Sequence, residues 1–376
     1  MTVSDLGHLG RFGRIFQRII AHMTQLPTWP SILTKLLAKN DLDRSEADWA
    51  MTEIMSGEAS EAQVGAFMLA LRSKGETVDE LAGLVDVMLR QCVLLETGDD
   101  AVDIVGTGGD LAGTVNISSM AAILTAAAGV PVMKHGSRSA SGKTGSSEML
   151  EVLGVRLDLS PERVAEIFAE VGITFFFAPV FHPAMRHVAP IRKQLGVPTT
   201  FNFLGPLANP AQPIATSLGV ANASVAPLMA AELAARGRSA LVFRGDDGLD
   251  ELTTTGSSTI WQVSGGEVRE FRLDPTALDL KLASSDQLVG GDAHHNAQIA
   301  KSVLSGANEP ELEAVRDVVM LNAAGGVVAY NLAKNSAEAQ LDLTERFRAA
   351  LALVRSTLDE GRAADKLSDW TAATAL

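Results

Sequence analysis

The chain has 376 residues, 47% of them hydrophobic and 20% charged, with a formal net charge of −14. That length exceeds what one ordinary core supports and predicts two domains or one large α/β unit, while the acidic balance argues against a nucleic-acid-binding surface. A single cysteine, Cys92, excludes an internal disulfide and a cysteine-built zinc cage, and it fits a reducing, cytoplasmic setting.

The opening MTVSDLGHLGRFGRIFQRII scatters Arg11, Arg14 and Arg18 through a stretch with no unbroken apolar core, which makes a poor signal peptide. Globular patterning begins at LPTWPSIL, so residues 1–26 read as an extension outside the fold, with Met23 a candidate natural start. From 27 to 96 the chain predicts a small helical domain. SEAQ (60–63) and TVDE (77–80) fit the capping box, Gly57 and Gly75 stand where C-terminal caps belong, and Val64, Phe67, Met68 and Leu71 form one apolar stripe. No chemistry is apparent in it. The longest apolar run, MAAILTAAAGVPVM (120–133), is too short to span a bilayer and holds Gly129 and Pro131, so no membrane association is expected.

At 102 the texture changes. VDIV (102–105) predicts a strand running into GTGGD (106–110), SSMAAILTAAAG (118–129) a helix, and VPVMK (130–134) a second strand. A helix starts at Ser160 with Pro161 in its first turn, and ITFFFAP, SALVFRG and STIWQV predict further strands. Strands alternating with helices predict a mostly parallel sheet covered on both faces, here over 97–180 and 213–376, with 181–212 packing on the helical domain or lining a cleft.

Three segments carry chemistry. GTGGD leaves a strand tip, where its glycines let backbone N–H groups approach a charged group and Asp110 adds a carboxylate. NISS (116–119) opens the next helix, whose N-terminus is an anion site, with Ser118 and Ser119 as caps, ligands or both. KHGSRSASGKTGSSE (134–148) follows the second strand and looks unsuited to filling a core. It offers Lys134 as a point charge, Arg138 as a planar fork, and the hydroxyls of Ser139, Ser141, Thr144, Ser146 and Ser147 on a loop made pliable by Gly136, Gly142 and Gly145. Two such loops at successive strand tips suit a phosphate.

RGDDGLDELTTTG (244–256) crowds Asp246, Asp247, Asp250 and Glu251, whose repulsion a hard divalent cation such as Mg²⁺ relieves; solvated turn acids are the other reading. In HPAMRHVAPIRKQLG (182–196), Arg192 falls on a face shared with Met185 and Val188, so it either snorkels outward or points into a pocket to receive a carboxylate. Pro190 is expected to kink or restart that helix. His182, His187, His294 and His295 show no metal-ligand spacing and read as structural or surface residues. Walker A, nucleophile-elbow and HExxH motifs are missing from the sequence.

With GTGGD, NISS, KHGSR, FNFLGPLANP (201–210) and DDGLDELTTTG in this order, the chain resembles the anthranilate phosphoribosyltransferases over roughly residues 27–370. The resemblance implies a homodimer with a small helical and a large α/β domain, and transfer from 5-phosphoribosyl-1-pyrophosphate (PRPP), bound with Mg²⁺, to anthranilate. It implies that Gly106, Gly109, Asp110, Thr114, Asn116, Ile117, Ser118 and Ser119 hold PRPP, joined by Lys134, His135, Gly136, Ser137, Arg138, Ser139, Ala140, Ser141, Gly142 and Ser146. Ser118, Asp250 and Glu251 would face Mg²⁺, Arg192 the anthranilate carboxylate, and Lys134 with the metal the leaving pyrophosphate. Ser137 stands where the family usually has Asn near the anthranilate; one hydrogen bond fewer costs on the order of 1 kcal/mol and leaves another aromatic amine open as acceptor. A nucleoside phosphorylase and a nucleic-acid-binding relative are the remaining alternatives.

Overall fold

The computed structural model describes residues 27–95, 97–138 and 144–375. Four helices come first: α1 Trp29–Leu37, α2 Arg44–Ser56, α3 Glu61–Lys74 and α4 Val78–Gln91. Each begins at a capping box, on Thr28, Asp43, Ser60 and Thr77. Gly57 closes α2 at φ 81° and Gly75 closes α3 at φ 91°, conformations a glycine adopts without a Cβ clash. The expected stripe on α3 is buried at Val64, Phe67, Met68 and Leu71.

The remainder is α/β. β1 Val102–Gly106, α5 Ile117–Ala127, β2 Val132–Gly136, α6 Ser146–Leu153, α7 Pro161–Val171 and β3 Ile173–Phe177 build the first half. A short turn of helix, α8 Ala178–Phe181, leads through a 3-10 turn, Pro183–His187, into α9 Ala189–Leu195. Pro190 lies in the first turn of α9, so it restarts the helix there. The chain returns as β4 Ala215–Gly219, α10 Ala226–Ala235, β5 Ser239–Gly245, β6 Ser258–Ser264 and β7 Glu267–Leu273. It ends in α11 Ala293–Leu304, α12 Glu313–Lys334, α13 Leu343–Asp359 and α14 Arg362–Ala375.

Among the described residues the strands form one seven-stranded sheet in the order β3-β2-β1-β4-β5-β6-β7. The pairs from β3 across to β5 are parallel, and β6 and β7 add antiparallel, so the expected small helical unit with a large, mostly parallel α/β unit is the fold observed. β1 to β4 are buried on both faces almost throughout, as parallel strands under helices on either side must be. β7, an edge, exposes Arg269, Glu270 and Arg272, charges that discourage pairing with another chain.

Each sheet face has its own core. One packs Ile104, Leu241 and Phe243 against α5, α12 and α13 through Met120, Leu124, Val327 and Phe347. The other packs Val105, Leu218, Val242 and Val263 against α10, the helical unit and the segment after β3, through Met229, Leu84, Val188, Phe201 and Phe203. That segment is fastened at both ends. Thr200 Oγ1 donates to Glu76 in the helical unit, and Asn209 Nδ2 donates to Asp103 on β1 at 2.9 Å and to the Met133 carbonyl on β2 at 2.8 Å.

Two sequence expectations shift. The second strand begins at Val132 rather than 130 and extends through Gly136, so Lys134, expected at the strand tip, lies inside it and His135 belongs to the sheet rather than to a loop; the two are 2% and 3% exposed. A basic residue inside a strand is tolerated here because acids on neighbouring elements meet it. Helix α5 starts at Ile117 after Asn116, so neither Ser118 nor Ser119 is its N-cap.

Candidate active site

The sheet order reverses between β1 and β4: the chain moves to β2 and β3 on one side and to β5 on the other. In open α/β sheets the carboxyl ends at such a reversal make a crevice. Here those ends are Gly106 and Gly219, paired in register, and Asp250 lies against both. A Cβ at Gly106 would strike the Asp250 carboxylate and one at Gly219 its main chain. A cavity of about 880 Å³ opens above them.

Most of the residues expected there do line it: Gly106, Gly109, Asp110, Thr114, Asn116, Ile117, Ser118, Lys134, His135, Gly136, Ser137, Arg138, Ser146, Arg192, Asp250 and Glu251. Ser119 does not. It is 1% exposed and its hydroxyl has no hydrogen-bond partner among the described residues. Its neighbour Ser118 takes the cavity side, because successive positions on a helix point about 100° apart. Ser139, Ala140, Ser141 and Gly142 lie outside the described residues.

The acids divide into two pairs. Asp246 is engaged by Arg272, and Asp247 accepts from the hydroxyls of Thr253 and Thr255, so both are turn acids. Asp250 and Glu251 enter the cavity floor. Asp250 Oδ2 accepts from Gly108 N at 2.6 Å and Glu251 Oε1 from Ser118 N at 3.1 Å, at the amino end of α5. Burial, then the nearby Asp110 charge, push Asp250 up to about 7. Burial and Asp250 raise Glu251 well above the usual carboxylate range.

Lys134 reaches into this floor from β2, donating to the Ile104 carbonyl and to Ser118 Oγ, the latter at 3.2 Å. Burial lowers its pKa, and Asp103, Glu251 and Asp250 oppose that shift. Among the described residues no three His, Cys, Asp or Glu side chains converge as a protein-only metal cage. Two adjacent carboxylates with a hydroxyl beside them instead suit Mg²⁺, which takes one or two carboxylates and completes its shell with water and substrate phosphate oxygens.

Arg192, also part of the cavity lining, meets no carboxylate among the described residues, and burial lowers its pKa. It thus takes the pocket-facing of its two expected orientations. Arg138 is less free than its sequence suggests: it donates to Glu151 at 2.9 Å and lies 5.6 Å from the Phe177 ring centre.

Sequence reasoning set aside His182, yet it is buried and lines the cavity, its ring 5.1 Å from that of His135. His135 Nδ1 meets the Gly205 carbonyl and His182 Nε2 the Ala208 carbonyl, each at 3.0 Å. Carbonyls only accept, so those nitrogens carry the protons and the other ring nitrogens present bare lone pairs. Burial pushes His135 down to about 3 and His182 down to about 4. By contrast His294 and His295 are exposed on α11. A further wall, Val289, Gly290, Gly291 and Asn296, also went unforeseen. It carries no charged group, and a backbone bridge between Thr114 and Val289 places it.

Known proteins match this chain along nearly all its length. The a/b domain of the glycosyl transferase family matches residues 98–364 and that family's helical bundle domain residues 30–92. The anthranilate phosphoribosyltransferase of Leifsonia xyli is 51% identical over 352 residues, covering 94% of this chain and 100% of the relative. The crystal structure of the Thermus thermophilus anthranilate phosphoribosyltransferase superposes with a TM-score of 0.82 at 38% identity, covering 92% of this chain and 99% of that one. The Saccharomyces cerevisiae enzyme in complex with PRPP and Mg gives a TM-score of 0.82 at 27% identity, covering 94% and 99%.

Proposed function

The chain belongs to the anthranilate phosphoribosyltransferase family, and we propose that it transfers the phosphoribosyl group of PRPP to the amine of anthranilate, giving N-(5-phosphoribosyl)anthranilate and pyrophosphate. The observation that carries this reading is the convergence of a glycine loop, a helix amino end, an acid pair and an arginine without a carboxylate partner among the described residues on one cavity. PRPP would lie along the loop after β1, the N-terminus of α5 and the end of β2, where N–H groups and Ser118 face its phosphates. Asp250, Glu251 and Ser118 would hold Mg²⁺, which when bound neutralises charge on the departing pyrophosphate.

The chain's own residues supply the rest. As the bond from ribose C1 to the pyrophosphate oxygen breaks, Lys134 and the loop N–H groups stabilise the charge that develops on the leaving group. Arg192 would receive the anthranilate carboxylate in a charge-assisted, two-point contact and so orient the ring. The aromatic amine is neutral near pH 7 and attacks C1 as it stands, and the proton then shed by the new N–C1 ammonium passes to the departing pyrophosphate or to solvent. Alignment contributes much of the remaining acceleration, and no side chain need act as nucleophile. The proposal includes a homodimer in the cytoplasm as the working form.

Loss of anthranilate fluorescence that requires protein, PRPP and Mg²⁺ together tests the reading. Transfer without PRPP, or none with all three present, would overturn it. Ser137 on the cavity wall favours one variation, a substituted aromatic amine as the better acceptor. Comparing kcat/KM across such amines decides it.

A further inference from the structure

Asn296 belongs to no motif and carries no charge, yet it is 1% exposed and lines the cavity from α11. Its Oδ1 accepts from Gly291 N at 2.7 Å and its Nδ2 donates to Asn116 Oδ1 at 2.9 Å. The polarity of this relay is fixed at its far end. A backbone N–H can only donate, so oxygen must face Gly291 and the NH₂ must face Asn116. Asn116 therefore turns its own oxygen toward Asn296 and its NH₂ away. Its one partner there among the described residues is the Thr144 carbonyl at 3.4 Å, long for such a bond.

Thr144 closes the circle by donating Oγ1 to the Gly291 carbonyl at 2.9 Å. Gly291 itself is held in place by its neighbours: Gly290 N donates to Gly113 O at 2.8 Å and Val115 N to Leu288 O at 3.0 Å. A Cβ on Gly290 would come within 2.6 Å of the Thr114 carbonyl, so only glycine allows this approach. Asn116, Thr144, Gly291 and Asn296 thus ring the amino end of α5, and all four line the cavity.

We propose that Asn296 is a positioning residue for PRPP: it locks the Asn116 amide so that N–H donors, rather than an oxygen, meet the phosphates at the head of α5. An amide with no such partner can rotate by half a turn and present an acceptor to the anion, which repels it. Asn296 removes that orientation through a bond whose direction the main chain dictates. This inference rests on the cavity being the PRPP site.

The test measures the PRPP dissociation constant by calorimetry, and KM for each substrate, in six chains: wild type, Asn296→Asp, Asn296→Ala, Asn116→Ala, and each Asn296 change combined with Asn116→Ala. Asp at 296 still accepts from Gly291 but offers Asn116 only oxygen, so the Asn116 amide turns over. The expected result is a rise of tenfold or more in the PRPP constant for Asn296→Asp and a few-fold rise for Asn296→Ala, with the anthranilate KM within twofold. In the Asn116→Ala background both effects shrink to within twofold. Effects of full size in that background mean that added charge or a general loosening is responsible, and overturn the inference. Wild-type affinity in Asn296→Ala also overturns it, even if Asn296→Asp does not fold. Wild type failing to bind PRPP defeats the reading of the cavity instead.

Discussion

Gly219 and Asp250 compete for one space: a Cβ on Gly219 would overlap the carbonyl oxygen of Asp250. The last residue of β4 must therefore be glycine if the loop after β5 is to deliver its acid to the crevice. Gly219→Ala is expected to cost about 1–3 kcal/mol of stability through overpacking. It should also displace Asp250, so that the Mg²⁺ concentration giving half-maximal transfer rises several-fold. Thermal unfolding and a Mg²⁺ titration of the rate check both; an unchanged titration would sink the link between this glycine and the acid.

Lys134 is the buried cation among Asp103, Asp250 and Glu251. Lys134→Met keeps an unbranched side chain one atom shorter and removes the charge. Breaking a buried set of charges from one side costs about 3–5 kcal/mol, and losing a preorganised donor to the leaving group lowers kcat about 10²-fold. Urea unfolding and saturated turnover separate the two. Full turnover by a folded Lys134→Met protein would assign the lysine to structure alone.

Arg192 lines the cavity and meets no carboxylate among the described residues; it is proposed to receive the anthranilate carboxylate. A hydrogen bond to a charged group contributes about 1.5–3 kcal/mol, so Arg192→Ala should raise the anthranilate KM roughly 10- to 150-fold. Arg192→Lys retains the charge but loses the fork and should fall between. The PRPP KM should stay within twofold. If the PRPP constant moved instead, the arginine would belong to the donor.

The two buried histidines give a sign for acid stability. Both have pKa values below the ordinary 6.5, at about 3 for His135 and about 4 for His182, chiefly from burial. The unfolded chain therefore takes up protons first as the pH falls. Their stabilising contribution is complete above pH 6.5 and is lost progressively toward those lower values. His182→Gln should reduce the stability difference between pH 7 and pH 5 by about 2 kcal/mol. Denaturant unfolding at the two pH values measures it, and an unchanged difference would show that His182 is not neutral in the native protein.

Much of this could be read from sequence because the relevant signals are local. Capping boxes at Ser60 and Thr77, the glycine turn at 106–109 and the restart at Pro190 each depend on a few neighbouring residues. What could not be read depends on residues far apart in the chain. Lys134 looked like an exposed charge at a strand tip because its acidic neighbours come from β1 and from the loop after β5. His182 looked like a bystander because its value lies in a ring packed at a tilt beside His135, on a different element. β4 was missed because ATSLG has little strand character of its own; it is held between β1 and β5 by tertiary pairing.

The central pairing of the sheet has a kinetic consequence. β1 and β4 meet at Val102 and Ala215, so the contact that shapes the crevice joins segments separated by the whole of β2, β3 and the return segment. Closing so long a loop is entropically late, and parallel pairing of this range slows folding. The helical unit and the β1–β2–β3 part can assemble earlier from nearer contacts. During refolding, binding competence should then lag behind helix formation, and the interval in which β1 and β4 show unpaired apolar edges is when this chain is most prone to aggregate.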